Sequence, residues 1–383
     1  MRRGHFELFR PVCPHCLSAR GAVSPLVIGQ VLLEQAGHIV EGVLHCADPA
    51  CYLEYPIIDA IPFLLPDVRR FLSDNLFQLS LRTDLGATIE GMIGDSCGPG
   101  SAFDATRAQL SSYAWGHYAD LDPQERPDGA PDGAPDGTQG GSVLDCLAQG
   151  LALLPAPPRG PVLDLGCAVG RTSFALAAAT GDPVLGVDVN VAMLRLAQRV
   201  LRQGTVSYPR RRIGIVYDRR DFAVALPGAE LVDFWACDAL ALPFASPCFA
   251  LAAALHVLDC TSSPRDLLQG LARVLVPGGA LVLSTPYDWS PAATPMECWI
   301  GGHSQRGPTR GDAEPFLHSL LTAGAHPLAV PGLSLVGECE SVPWQVRLHA
   351  RSRVHYRSHL LALRAAAPDR PPADASQAPG TVP

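Results

Sequence analysis

The sequence contains no lysine: all 29 of its basic residues are arginine. A lysine general base or a Schiff-base lysine is therefore excluded. With 36 Gly, 36 Pro and abundant Ala, this usage reads as the coding bias of a GC-rich genome. Long apolar runs are missing as well. None reaches 18 residues, and Met1–Pro14 has no hydrophobic segment, so neither a membrane span nor a secretory signal is expected. Excess positive charge is also absent. A formal net charge of −8 argues against a protein that coats nucleic acid electrostatically. What the chain does have is apolar side chain, 48% of 383 residues, enough for a sizeable core and for two domains. Twelve Cys would suggest disulfides in a secreted protein. Here Cys167, Cys237, Cys248 and Cys260 sit singly in apolar runs, as reduced, buried thiols do, and a cytoplasmic location is expected.

Composition divides the chain. Residues 1–68 carry four of the Cys and end in the strand-like, proline-punctuated run Tyr55–Pro66. Residues 69–121 read as a helical connecting region, with apolar spacing over Arg70–Leu81 that predicts one amphipathic helix. A tandem Pro/Asp/Gly repeat over 126–137 marks a flexible linker, 122–142. From 143 to 365 apolar strands at Val162–Leu165, Val184–Asp188, Leu231–Cys237, Phe249–Ala254 and Ala280–Thr285 alternate with helical segments. That alternation predicts an α/β fold, a parallel sheet covered by helices on both faces. The Pro-, Ala- and Asp-rich tail 366–383 is expected to be disordered.

The most informative segment is Val162–Arg171. A strand ends, Gly166 and Gly170 bracket the small Ala168, and a helix begins. Glycines there let the backbone turn tightly and approach a ligand, with helix N–H groups facing it. A dinucleotide site would want further glycines where Ala168 and Arg171 stand, so a nicotinamide or flavin fits poorly. The segment closely resembles motif I of the class I S-adenosylmethionine (SAM)-dependent methyltransferases. The resemblance continues, in order, through Val184–Asn190, Ala236–Phe244 and Arg273–Leu283. It implies a Rossmann-like methyltransferase sheet, SAM as cofactor and methyl transfer as the reaction. It further implies that Asp188 holds both ribose hydroxyls, since one carboxylate can accept two hydrogen bonds from a vicinal diol. Asp238 would accept from the adenine amino group and Ala239 would offer its backbone N–H. Asp164, Gly166, Cys167, Ala168, Gly170 and Val189 would complete the cofactor cradle.

A narrower resemblance lies in Cys167–Leu176 and Ser284–Gly302, which are similar to the methyltransferase domain of ovothiol-pathway mercaptohistidine N-methyltransferases. Tyr287, Trp289 and Trp299 would follow the carboxyl end of a strand, where open α/β sheets place substrates. His256 stands where those relatives carry Asn, which leaves the acceptor open. His256 and Tyr287 are the candidate catalytic groups. A small-molecule acceptor, methylated on nitrogen or another nucleophile, is the favoured reading. An RNA or protein substrate and a catalytically silent scaffold are the alternatives.

Cys13 and Cys16 form one hook; Cys46 and Cys51 form another about thirty residues on. Four thiolates so spaced can surround a structural Zn2+ tetrahedrally; a redox-active Cys13–Cys16 pair, or a site that has lost its metal, is the alternative. With Tyr55–Pro62 the segment resembles the Trm112-like zinc-ribbon domain, which serves methyltransferases as partner or fused module. It departs from that pattern in the four residues inside the second hook and in Ala60, a typical glycine position. Zinc loss is expected to loosen residues 1–68 and leave cofactor affinity largely intact. Arg210–Arg212 could touch phosphates but reads rather as a solvated loop, and the alternating run His349–His359 fits an edge strand as well as RNA contact.

Overall fold

The computed structural model describes residues 1–125 and 141–366. The repeat 126–137, most of the expected linker 122–142 and residues 367–383 of the expected tail lie outside the described residues. The strands are β1 (Leu26–Gln35), β2 (His38–Cys46), β3 (Glu54–Ile58), β4 (Ile61–Leu64), β5 (Val162–Leu165), β6 (Val184–Asp188) and β7 (Thr205–Ile213). They continue with β8 (Val216–Ala223), β9 (Val232–Cys237), β10 (Phe249–Leu255), β11 (Leu275–Thr285), β12 (Leu333–His349) and β13 (Ser352–Ala365).

Eleven of these strands form one sheet in the order β1-β2-β3-β4-β9-β6-β5-β10-β11-β13-β12. The expected parallel sheet is its centre, β4 to β11; β12 and β13 run antiparallel at one flank and β1–β3 at the other. Every residue of β9 and β10 is buried, which is why these strands read as nearly continuous apolar runs, broken only by Asp233, rather than as alternating ones. Helices cover both faces. The helix Pro264–Val274 starts with Ser263 as N-cap and Pro264 in its first turn, and buries Leu267, Leu268, Leu271 and Val274 along one stripe. From β5 the chain moves outward through β6 to β9, then returns to β10 on the other side of β5. That reversal opens a crevice at the carboxyl ends of the strands.

The N-terminal strands are continuous with this sheet. β4 pairs in parallel with β9, Phe63 beside Ala236 and Leu64 beside Cys237. The backbone N–H of Arg2 donates to the Asp233 carboxylate at 2.9 Å. Phe9 stacks on Phe249, centroids 5.2 Å apart, and meets Trp235 edge-on at 6.0 Å. One apolar core thus runs under both halves.

Three local expectations are corrected. The single helix over Arg70–Leu81 is two, Val68–Asp74 and Leu76–Ser80. Asn75 divides them, because its side-chain amide donates to the Phe71 carbonyl at 2.9 Å and ends the first helix there. Arg210–Arg212 is not a solvated loop but part of β7, which forms a hairpin with β8. Val206 and Tyr208 alternate inward along β7, a period-2 signal that the run of Arg conceals. Arg210 pairs with Glu125 and Asp218, and Arg211 donates to the Gly214 carbonyl at 2.6 Å. The run His349–His359 crosses from β12 into β13, and the edge strand is β12. Up to Ser358, β13 pairs with β12 alone, so the two project beyond β11 as a ribbon.

Candidate active site

Three neighbouring strands bring an acid to the same edge of the sheet. Asp164 lies near the end of β5, Asp188 ends β6, and Asp238 follows β9. All three border a cavity of about 720 Å3, within the roughly 300–1,000 Å3 of small-ligand sites. Between them runs the turn 166–170. Gly166 has φ +73°, and a Cβ on it would lie 2.4 Å from a Val257 methyl. Ala168 holds φ 48°, a left-handed conformation that only glycine adopts without cost.

Asp164 is 2% exposed and accepts from the hydroxyls of Thr172 and Ser173, each at 2.6 Å. Burial pushes its carboxyl up to about 6, and the two hydroxyls offset part of that rise. Burial also raises Asp188, against the N–H groups of Asn190 (2.8 Å) and Ala168 (2.9 Å) that its two oxygens accept. Asp238 accepts from the Leu240 N–H at 2.9 Å. Val189 and Ala239 border the same cavity. Two expected cradle residues do not border it: Cys167, buried in the core, and Gly170, which at φ +88° caps the helix Arg171–Thr180.

The two candidate catalytic residues part company. His256 lies in the cavity wall with φ 55°, stacked on Trp344 at 3.8 Å, its Nε2 2.6 Å from the Ser358 hydroxyl. Burial pushes its imidazole down to about 3, so it is neutral at ordinary pH. Tyr287 does not border the cavity; its hydroxyl sits 2.7 Å from Nδ1 of His359.

The far wall was not foreseen. The helix Ala102–Tyr118 presents Gln109, Tyr113, Gly116 and His117, at spacings of three and four that put them on one face. The ribbon of β12 and β13 contributes Trp344 and Tyr356, and the turn after β11 contributes Asp288. Tyr356 donates to Asp288 at 2.8 Å. Asp259, its carboxyl raised by burial, accepts from the Thr285 hydroxyl (3.2 Å) and the Asp288 N–H (3.0 Å) and so holds that turn. Asp259 stands three residues after His256, the one signal that could have found it. Among the described residues bordering the cavity there is no Arg.

Cys13, Cys16, Cys46 and Cys51 come together as the hooks predict, their Sγ atoms all within 4.8 Å of one another. Cys13 and Cys51 are 3.9 Å apart, Cys16 and Cys46 3.6 Å. A tetrahedron with Zn–S bonds of about 2.3 Å has edges of about 3.8 Å, close to the Cys13–Cys51 and Cys16–Cys46 separations, so the donor set suits zinc. Around it, Arg20 donates to Cys16 at 2.6 Å, and hydroxyls lie 3.1 Å from Cys13 (Tyr55) and Cys46 (Ser24), partners that suit thiolate charge.

Residues 163–283 match the family model described as a methyltransferase domain. A trans-aconitate 2-methyltransferase of Sinorhizobium fredii is 30% identical over 137 residues, 36% of this chain and 42% of that protein. The chain therefore spans about two-fifths of the length of the curated relative it matches. Similar solved structures include Haemonchus contortus phosphoethanolamine N-methyltransferase 2 with SAM (TM-score 0.28, 22% identity, 37% of this chain and 28% of that one). Another is a SAM-dependent methyltransferase of Methanosarcina mazei (TM-score 0.32, 19% identity, 56% and 95%). A third is the complex of the Haloferax volcanii Trm112 methyltransferase activator with a methyltransferase (TM-score 0.36, 16% identity, 58% and 89%). The fold is a Rossmann-like α/β fold, and within it residues 163–283 match a methyltransferase domain.

Proposed function

We propose that the protein transfers the methyl group of SAM to a nitrogen of a small molecule. The observation that carries this reading is the convergence of Asp164, Asp188 and Asp238 on one cavity from adjacent strand ends. Asp188 would take the ribose diol on the lone pairs its backbone donors leave free, and Asp238 with Ala239 would take the adenine edge. Asp164 would face the positive charge of the cofactor, which favours its ionised form. Bound SAM supplies an activated sulfonium methyl, so the chain has to align the acceptor, exclude water and accept a proton.

The acceptor end supports a nitrogen nucleophile. Tyr113, Trp344 and Tyr356 offer aromatic faces, and Asp288 keeps a carboxylate oxygen beyond the one that Tyr356 occupies. Such a wall suits an amine and could take its proton. With no Arg among the described residues bordering the cavity, an acceptor carboxylate would meet Asp259 and Asp288 instead of a cation. The acceptor we propose is accordingly an amine without an anionic group nearby, unlike the amino-acid acceptors that the ovothiol-pathway resemblance implies. Neutral His256 would act as a positioning wall, and Tyr287 would act through His359 rather than on the substrate.

The four-thiolate cluster we assign to one structural zinc in a Trm112-like ribbon. None of the twelve Cys is in a disulfide, which fits a reducing, cytoplasmic setting. No helix among the described residues is long and apolar enough to cross a membrane. Incubation with methyl-labelled SAM and separate metabolite, RNA and protein fractions tests the reading. Label should enter amine-bearing metabolites; label confined to RNA or protein would overturn it.

A further inference from the structure

We propose that His318, Glu338 and His359 form a second metal site, for a borderline divalent cation such as Zn2+ or Co2+. The three residues come from three elements: the helix Ala313–Leu321, β12 and β13. Nε2 of His318 lies 2.7 Å, and Nε2 of His359 3.0 Å, from the same Glu338 carboxylate oxygen. All three residues offer ligand atoms within 4.8 Å of one another. Octahedral bonds of about 2.0–2.2 Å place neighbouring ligand atoms about 3 Å apart, close to these separations. Two imidazoles and one carboxylate suit Zn2+, Co2+ or Ni2+ rather than Mg2+ or Ca2+, which take oxygen ligands.

The surroundings are those of a metal-binding histidine. His359 is 2% exposed, and the Tyr287 hydroxyl sits 2.7 Å from its Nδ1, fixing the ring with Nε2 toward the other two ligands. The side chains of His318 and Glu338 are 39% and 32% exposed, so an ion can enter from solvent and keep water in its remaining positions. The site is separate from the methyl-transfer cavity. Ser358 contacts His256 on the cavity face of β13, and the next side chain, His359, points to the opposite face.

Its role would be to brace. The helix Ala313–Leu321 buries only Leu317, Leu320 and Leu321. A bond from His318 to an ion shared with β12 and β13 would pin that helix to the outer strands. Through His359 and Tyr287 it would also steady the turn that carries Pro286 and Asp288 into the cavity wall.

The test uses the full chain as purified, with zinc counted separately, dialysed against Co2+ and analysed for metal content. One Co2+ per chain is expected, with affinity at least tenfold weaker in both His318→Ala and Glu338→Gln and zinc content unchanged. His318 is half-exposed on its helix, so its truncation leaves the core intact; unchanged SAM binding verifies this. Failure of the parent protein to take up Co2+, or uptake by both variants equal to the parent's, would overturn the proposal. Neither result depends on methyltransferase activity.

Discussion

At the scale of single residues, charge and burial oppose each other around Asp164. Its carboxyl is pushed up to about 6 because the apolar strand ends desolvate it. An acid whose folded value lies above its ordinary 3.8 gives stability that is fully present below about 3.8 and lost as pH rises through about 6. Cofactor binding runs the other way, since a cationic ligand prefers the carboxylate. SAM affinity is therefore expected to fall below about pH 6, by up to tenfold per unit, and Asp164→Asn to flatten that profile. Calorimetry across pH 5–8 checks both; a flat profile for the parent would separate Asp164 from the cofactor. Asp188→Ala should weaken SAM by roughly 1.5–3 kcal/mol per hydrogen bond lost to a charged group. Asp188→Asn, which keeps one acceptor oxygen and so one of the two loop N–H bonds, should lose less. Equal binding by parent and Asp188→Ala would remove the ribose role.

At the scale of elements, the turn 166–170 shows why small residues stand where they do. Gly166→Ala combines a left-handed φ with a Cβ only 2.4 Å from Val257, and should cost about 1–3 kcal/mol in thermal or urea unfolding. Ala168→Gly should move the other way. Relief of the left-handed strain, about 1–2 kcal/mol, exceeds the added freedom of the unfolded chain and leaves about 0.5–1 kcal/mol of stabilisation. A destabilised Ala168→Gly would mean that the methyl group packs where the φ penalty suggests it should not. These residues were legible in the sequence because a strand, a turn and a helix follow one another within ten positions. β5, β6, β9 and β10 were legible because burial on both faces leaves runs that are apolar apart from Asp164, Asp188 and Asp233. The hairpin of β7 and β8 was hidden by Arg210–Arg212, whose charge suggests solvent although Glu125 and Asp218 neutralise Arg210. The acceptor wall was illegible for a different reason. Tyr113, Asp288, Trp344 and Tyr356 are scattered over more than two hundred positions and meet only when the ribbon of β12 and β13 folds over the strand ends.

At the scale of the whole molecule, the N-terminal segment and the central sheet share backbone hydrogen bonds. Composition separates them at residue 68, and zinc loss was accordingly expected to leave cofactor affinity intact. The register of β4 against β9 changes that expectation, because β9 ends one residue before Asp238. Val12, next to the first hook, donates its N–H to the Pro243 carbonyl at 2.9 Å, inside the same adenine-side segment. Stripped of the zinc proposed for it, the N-terminal segment would lose the staple that a segment of this size needs. Its loosening frees one side of β9 and the backbone around Pro243. Chelation should then both speed amide exchange over residues 1–68 and weaken SAM binding, by about fivefold or more if the coupling is of ordinary size. Cys13→Ser should reproduce the effect without chelator. Calorimetry with SAM, run beside hydrogen exchange on the same sample, decides between the two expectations. An unchanged SAM affinity in protein whose ribbon amides exchange freely would show that the shared strand pairing transmits nothing, and that Asp238 is held by β6 and the core alone.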